Sequence, residues 1–362
     1  MDFDFAARRA KLANIEGVDA IAVVPSANMR YFIGVDFYLM ERPIIAIIGK
    51  EKSGFIIPKF EIPALSKRPD FDVELFGWTD EEGYVDAFKL AVETMGFDTK
   101  TLGIDGLTMR AFEHLALIDA GCTNVVDVKD DLLKIRSIKE KAEVDAIRAA
   151  IRISEGALGQ LVEWVKPGMT QREISDGLVR LMKEAGADGE AFKSIVQTGT
   201  DSALPHGMIT DKSFQENDTL LVDFGASLNG YPADITRTFF FGEVDEEMRK
   251  IHDIVLQANR AAVAAVKPGV TCGEIDKAAR DVITEAGYGQ YFRHRTGHGL
   301  GAEVHELPQI AANVDVPLEP GMIFTIEPGV YIEGLGGVRI EDDVLVTEDG
   351  VEVLTTFPRT SN

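Results

Sequence analysis

The segment VKPGMTQREI at 165–174 returns 101 residues later as VKPGVTCGEI at 266–275, and Glu184-Ala185-Gly186 returns at the same interval as Glu285-Ala286-Gly287. Two matched pairs at one interval mark an internal duplication of a folding unit. Each copy reads as a Pro-Gly turn, a threonine suited to N-capping, a glutamate three residues on as in a capping box, and an amphipathic helix ended by glycine. A chain repeating such a unit is expected to carry a matching strand pair after each helix.

In the first half that pair is LLVDFGASLNGYPADITRTFFFG at 220–242. Two apolar runs flank Asn229-Gly230, a dipeptide favoured in tight hairpin turns because both residues tolerate positive φ. A turn centred there sets Gly225 opposite Asp234 and leaves Asp223 on the same face. The two carboxylates then become diagonal neighbours, roughly 7–8 Å apart at the backbone. Pro232 is a candidate bulge that would shift this register. The second half answers with MIFTIEPGVYIEGLGGVRIEDDVLV at 322–346, in which Glu327 takes the place of Asp223 and Glu341 that of Asp234. Glu327 and Glu341 face each other around the glycine-rich loop 334–337. One Asp pair alone reads as a solvated surface hairpin. Four acids at one point in an apolar setting are costly unless cations neutralise them, and the pattern reads as a dinuclear metal site.

The six histidines divide by setting. His114 and His252 fall in helical patterns, as packed or solvated side chains. His294, in RHRTG, reads as structural. His298 lies in TGHGLG, where flanking glycines let an imidazole approach a ligand closely, and it is the candidate nitrogen donor. His206 in LPHG and His305 in VHELP occupy comparable places in the two halves. Both suit hydrogen bonding and proton transfer near neutral pH.

At 362 residues, 45% of them apolar, the chain is long enough for two cored domains. Residues 1–133 alternate short apolar strands with helical patterns and form an α/β domain with no phosphate-cradling glycine motif; it reads as a packing or oligomerisation domain. The charged stretch KDDLLKIRSIKEKAE at 129–143 leads without turn punctuation into a long helix through about Trp164, and residues 134–362 form the second domain. A net charge of −23 excludes nucleic acid and anionic membrane as partners. Cys122 and Cys272 form no CxxC motif and fit a reducing compartment. No apolar run approaches the ~20 residues of a membrane span, and the N-terminus lacks a signal peptide's apolar core. A cytoplasmic protein is expected.

With these residues assembled, 140–358 resembles the pita-bread metallopeptidases, the family of methionine aminopeptidase, aminopeptidase P and prolidase, through VDFGA, ADITRT, TGHGLG, VHE, TIEPG and VRIEDD. The resemblance implies an α+β pita-bread catalytic domain with internal duplication, preceded by the smaller α/β domain of prolidase, aminopeptidase P and creatinase. Methionine aminopeptidases lack that N-terminal domain, and creatinase lacks the metals. The implied metal ligands are Asp223, Asp234, His298, Glu327 and Glu341, holding two divalent ions, Mn or Co before Zn or Fe. Such a pair holds a bridging water, lowers its pKa and polarises the scissile carbonyl. Glu327 is the implied base, His206 and His305 bind substrate and stabilise the tetrahedral intermediate, and Arg339 anchors the site or the substrate. The implied activity is hydrolysis of the bond between an N-terminal residue and proline, by a homodimer. Prolidases of this family often place an arginine shortly after VHE to grip a dipeptide's carboxylate; here Gln309 stands there, which leaves Xaa-Pro dipeptides and longer peptides with proline second as open alternatives. A pita-bread hydrolase acting on a small amide, or a metal-free binding module, are the other readings of the same fold.

Overall fold

The computed structural model describes residues 3–50, 52–65 and 72–360. The chain divides into two compact units between Ile135 and Arg136. The expected division was at 133/134.

In the N-terminal unit the described residues form a six-stranded sheet in the order Glu74–Trp78, Ser53–Pro58, Ile45–Gly49, Ala20–Val23, Thr101–Ile104, Asn124–Asp127. The contacts of Ile45–Gly49 to its two neighbours are antiparallel and the remaining pairings parallel. Ala20–Val23 is buried along its whole length, as its unbroken apolar sequence requires of a strand covered on both faces. Helix Val85–Met95 presents Phe88, Ala91, Val92 and Met95 to Ile45, Ile47, Ile56 and Phe76. Helix Ala27–Ile33 and strand Asn124–Asp127 escape a reading of periodicity, because each is too short to show a period.

The charged stretch that follows is not continuous helix. Lys129–Ser137 ends, Glu140 caps a new helix, Lys141–Trp164, in a capping box with Glu143, and the residues between pair outward. Ile138 bridges Met322, and Lys139 N–H donates to Gly321 O at 2.9 Å. The partners of the residues at the break lie more than 180 residues away, and the one local mark is the Glu140–Glu143 capping box that restarts the helix.

The C-terminal unit is built twice. Helices Lys141–Trp164 and Gln171–Glu184 precede strands Ile195–Thr198, Thr219–Phe224 and Ile235–Phe240; helices Glu246–Ala265 and Cys272–Glu285 precede strands Gly297–Gly299, Glu306–Ile310, Ile323–Ile326 and Asp342–Val346. Both repeated capping boxes form: Glu173 N–H donates to Thr170 Oγ1 at 3.1 Å and Glu274 N–H to Thr271 Oγ1 at 3.3 Å, while each glutamate accepts from its threonine's N–H at 2.8 Å. Thr170 also bridges Ser213 and Thr271 bridges Pro317, so both helices start from the same tether. The second helix of each pair then buries one stripe, Ile174, Leu178, Leu181 and Met182 in the first half, Ile275, Ala279 and Ile283 in the second. Among the described residues no helix is long and apolar enough to cross a membrane.

Candidate metal centre

The first hairpin keeps one register from its turn to its far end. Leu228 pairs with Tyr231 and Ser227 with Pro232; beyond the twist, Phe224 pairs with Ile235 and Asp223 with Thr236. Pro232 therefore introduces no shift. Between these ladders Gly225 lies so close to the opposite chain that a Cβ there would stand 1.7 Å from Ala233 O. Only glycine lets the Asp234 backbone press against the strand that carries Asp223.

The second hairpin is also in one register, Ile326 with Asp342 and Gly329 with Arg339, so Glu327 and Glu341 stand directly opposite. This corrects the one-to-one match of the acid pairs. Relative to Glu327 and Asp223, Glu341 occupies the register place of Thr236, not of Asp234. The departure from symmetry has a use, because Thr236 donates its hydroxyl to Glu341 Oε2 at 2.5 Å. Three further contacts zip the hairpins together: Glu341 N–H to Thr236 O at 3.1 Å, Arg237 Nη1 to Glu341 O at 2.5 Å, and Thr238 Oγ1 to Arg339 O at 3.0 Å. ADITRT is thus the seam between the halves.

His298 sits in the strand Gly297–Gly299, where Cβ atoms on the flanking glycines would lie 1.8 Å from Thr325 O and 2.0 Å from Leu307 O. Its Nδ1 is 3.2 Å from Gly299 O. With the proton on Nδ1, the Nε2 lone pair points to the acids, 3.6 Å from Asp234 Oδ2 and 3.5 Å from Glu327 Oε1. Asp234, His298 and Glu341 each offer a ligand atom, all within 4.8 Å of one another.

A cavity of about 510 Å³ is lined by Asp223, Asp234, His298, Glu327 and Glu341, and also by His206, His305 and Arg339. All eight residues singled out in the sequence are therefore brought to one chamber. A larger cleft of about 650 Å³ in the N-terminal unit, lined by Arg9, Asp19, Lys50 and Lys52 among alanines and aliphatic residues, converges no comparable set.

Burial and mutual repulsion raise Asp234 and Glu341 well above the carboxylate range. Glu327 is pushed up to about 7 by burial and by Asp223, against the pull of Arg339 and Arg295. It still keeps 15% of its side chain exposed, within reach of water. Burial, with the charge of Arg295 and the ring of His305 nearby, lowers His298 to about 3, which keeps it a neutral donor. The His298 and His305 rings meet edge to face at 4.2 Å. Asp223 Oδ2 accepts from Arg339 Nη2 at 2.5 Å, while its buried Oδ1 has no hydrogen-bond partner. A bare carboxylate oxygen beside raised acids and an imidazole lone pair is the donor set a divalent cation satisfies.

Reading the sequence missed a relay behind Asp223. Arg339 Nη1 donates to Tyr331 Oη at 2.7 Å, Tyr331 Oη lies 3.0 Å from His294 Nε2, and His294 Nδ1 lies 2.7 Å from Arg295 O. His294 lines the cavity and is lowered to about 4 by burial. Its role is thus to hold Tyr331 and Arg339. Arg295 also lines the chamber, and Asp343 stands behind it, accepting from Asp234 N–H at 3.1 Å. No spacing signal marks Arg295; Asp343, the last acid of VRIEDD, had one.

Residues 145–348 match the model of metallopeptidase family M24, and residues 7–138 that of the creatinase/prolidase N-terminal domain. An Xaa-Pro dipeptidase of Pyrococcus furiosus is 37% identical over 356 residues, 96% of this chain and 97% of that one. The structure of an Xaa-Pro dipeptidase from Bacillus anthracis superposes with a TM-score of 0.91 at 34% identity, covering 99% of both chains. That of an X-Pro aminopeptidase from Thermotoga maritima gives 0.85 at 35%, covering 97% of this chain and 99% of the other. Fold, duplicated seam and full-length likeness agree, and the chain belongs to metallopeptidase family M24.

Proposed function

We propose that the protein is an Xaa-Pro dipeptidase of the prolidase type, with Asp223, Asp234, His298, Glu327 and Glu341 holding two divalent cations. The observation that carries this reading is the convergence of a neutral imidazole and four carboxylates, one with an orphaned oxygen, in a cavity that also holds three further histidines and two arginines. Full-length likeness to proteins named as Xaa-Pro dipeptidases directs it to that substrate. An oxygen-rich set with one imidazole suits Mn or Co, with Zn or Fe next. A cytoplasmic homodimer completes the reading, the location resting on two free, buried cysteines and the assembly on the family resemblance.

When bound, the cations supply Lewis acidity and lower the pKa of water at the site. The protein's own residues do the rest. Glu327, which keeps contact with solvent in the chamber, accepts the proton of the attacking water and returns it to the departing proline nitrogen. Returning that proton matters, because an Xaa-Pro bond is a tertiary amide whose nitrogen leaves poorly unprotonated. His206 and His305 flank the chamber and donate to the oxygen that becomes negative. Phe192, Ile195, Pro205 and Val304 supply the apolar wall for the pyrrolidine ring and the first side chain.

His305→Ala is expected to lower kcat roughly 10²-fold or more while leaving metal content unchanged. An unaltered kcat would remove His305 from the reaction. The substrate reading is tested by kcat/KM on Xaa-Pro, Xaa-Pro-Yaa and Xaa-Ala with metals loaded. A preference for Xaa-Pro of roughly tenfold or more supports it. The reverse order makes the protein an aminopeptidase P, and no proline release from any of them leaves a hydrolase for another small amide.

A further inference from the structure

A dipeptide ending in proline carries its carboxylate into a chamber already lined by four acids, so a cation on the wall must receive it. Two guanidinium groups line that wall. Arg339 is fully engaged, by Asp223, Tyr331 Oη at 2.7 Å and Thr236 Oγ1 at 3.1 Å. Arg295 is not. Its Nη1 donates to Gln309 Oε1, a neutral partner, and among the described residues no carboxylate pairs with it.

Gln309, the residue standing after VHE, does not itself face the substrate. It is absent from the cavity lining, and its Nε2 donates to Glu306 O at 3.1 Å, which turns Oε1 toward Arg295. It lies across from His298 in the strand pair and therefore ties the arginine, three residues before that imidazole, to the neighbouring strand Glu306–Ile310. Burial draws Arg295 below its ordinary value, against the opposing charges of Glu327 and Asp234 across the chamber, neither of which forms an ion pair with it.

We propose that Arg295 is the specificity-determining residue that receives the C-terminal carboxylate of an Xaa-Pro dipeptide, its free N–H edge forming a paired contact while Gln309 holds the opposite edge. This rests on the Xaa-Pro peptidase reading for its substrate, but not on the dipeptide preference, which it explains.

The test crosses the side chain with the ligand charge: wild type, Arg295→Ala and Arg295→Lys, each assayed on Ala-Pro and on Ala-prolinamide, which differ in the carboxylate alone. Arg295→Ala is expected to lower kcat/KM on Ala-Pro roughly 10- to 150-fold, chiefly through KM, and to change Ala-prolinamide less than about threefold. Arg295→Lys is expected to recover part of the loss. Equal losses on both substrates, or no loss on either, would overturn the assignment. Calorimetric titration of the protein as purified with N-acetylproline and N-acetylprolinamide gives a readout independent of turnover. A carboxylate preference in wild type that disappears in Arg295→Ala supports the assignment; its absence in wild type overturns it. Should wild type cleave neither dipeptide nor amide, the peptidase reading fails while the titration still decides the role of Arg295.

Discussion

Glu341→Gln lowers kcat/KM on an Xaa-Pro dipeptide by on the order of 10³-fold or more and leaves the protein with fewer than two bound divalent ions. The substitution keeps the shape, so packing is not the cause. It replaces a donor with two anionic oxygens by an amide whose NH₂ points a positive edge at the cation. It leaves Thr236 Oγ1 able to donate only to the amide oxygen, so the rotamer that saves this hydrogen bond is the one that turns NH₂ inward. The same change has an opposite effect on the metal-free protein. Without cations Glu341 is buried at 2% exposure among other acids and must either hold a proton or bear an unpaired buried charge, a cost that the neutral amide does not carry. Stripped of metal, Glu341→Gln is therefore expected to melt above stripped wild type; loaded, it melts below. Metal analysis, kinetics and paired melts measure all three quantities. Wild-type activity with two ions bound would contradict the ligand role of Glu341.

Metal-free protein loses stability as pH rises from about 6.5 to 8, and divalent ions restore more stability at pH 8 than at pH 5.5. The sign follows from proton bookkeeping. Unfolded carboxyls titrate near 4, whereas folded Asp234, Glu341 and Asp343 are held well above that by burial and Glu327 is at about 7. Between the two values the folded state binds more protons, so stability falls with rising pH. Buried His252 and His294, lowered to about 4, and His298, lowered to about 3, act the other way, since unfolding lets them take up protons below about pH 6.5. The two groups offset each other in mildly acid solution. Above pH 6.5 the histidines are neutral in both states and the acids act alone. The ion-paired Asp342 and Glu306, lowered by Arg237 and Lys139 among others, matter only in stronger acid. A loss on the order of a few kcal/mol is expected, a fall in Tm of roughly 5 °C or more. Melts with chelator across this range check it; a Tm that holds steady or climbs toward pH 8 would show that the acids are not crowded.

Several elements of the site were legible because their causes are local. Asn229-Gly230 set the hairpin turn, and a two-residue turn carries its register outward until something slips it; Pro232 did not. Glycines on both sides of His298 announced a close approach, and the neighbouring strands do press against them. Other elements had little or no local cause. The break at Ile138 is marked locally only by the Glu140–Glu143 capping box and pairs with Met322, and Arg295 acquires its role from where Gln309 points. The equivalence of Glu341 with Asp234 was assumed from symmetry, and it failed because symmetry in sequence does not specify which rung of a ladder each acid takes.

Alone, the order of residues determined that a unit is built twice, where its helices begin and end, and which acids and imidazoles face inward, since capping, turn chemistry and side-chain alternation act over a few residues. Which of those groups meet was decided by packing. Thr236, Arg237 and Thr238 join one half to the other across about 100 residues of chain. Only when both halves had docked were Arg339 tied to Asp223 and Arg295 left with a side to offer, because such pairings depend on ångström distances between distant segments that no spacing along the chain encodes.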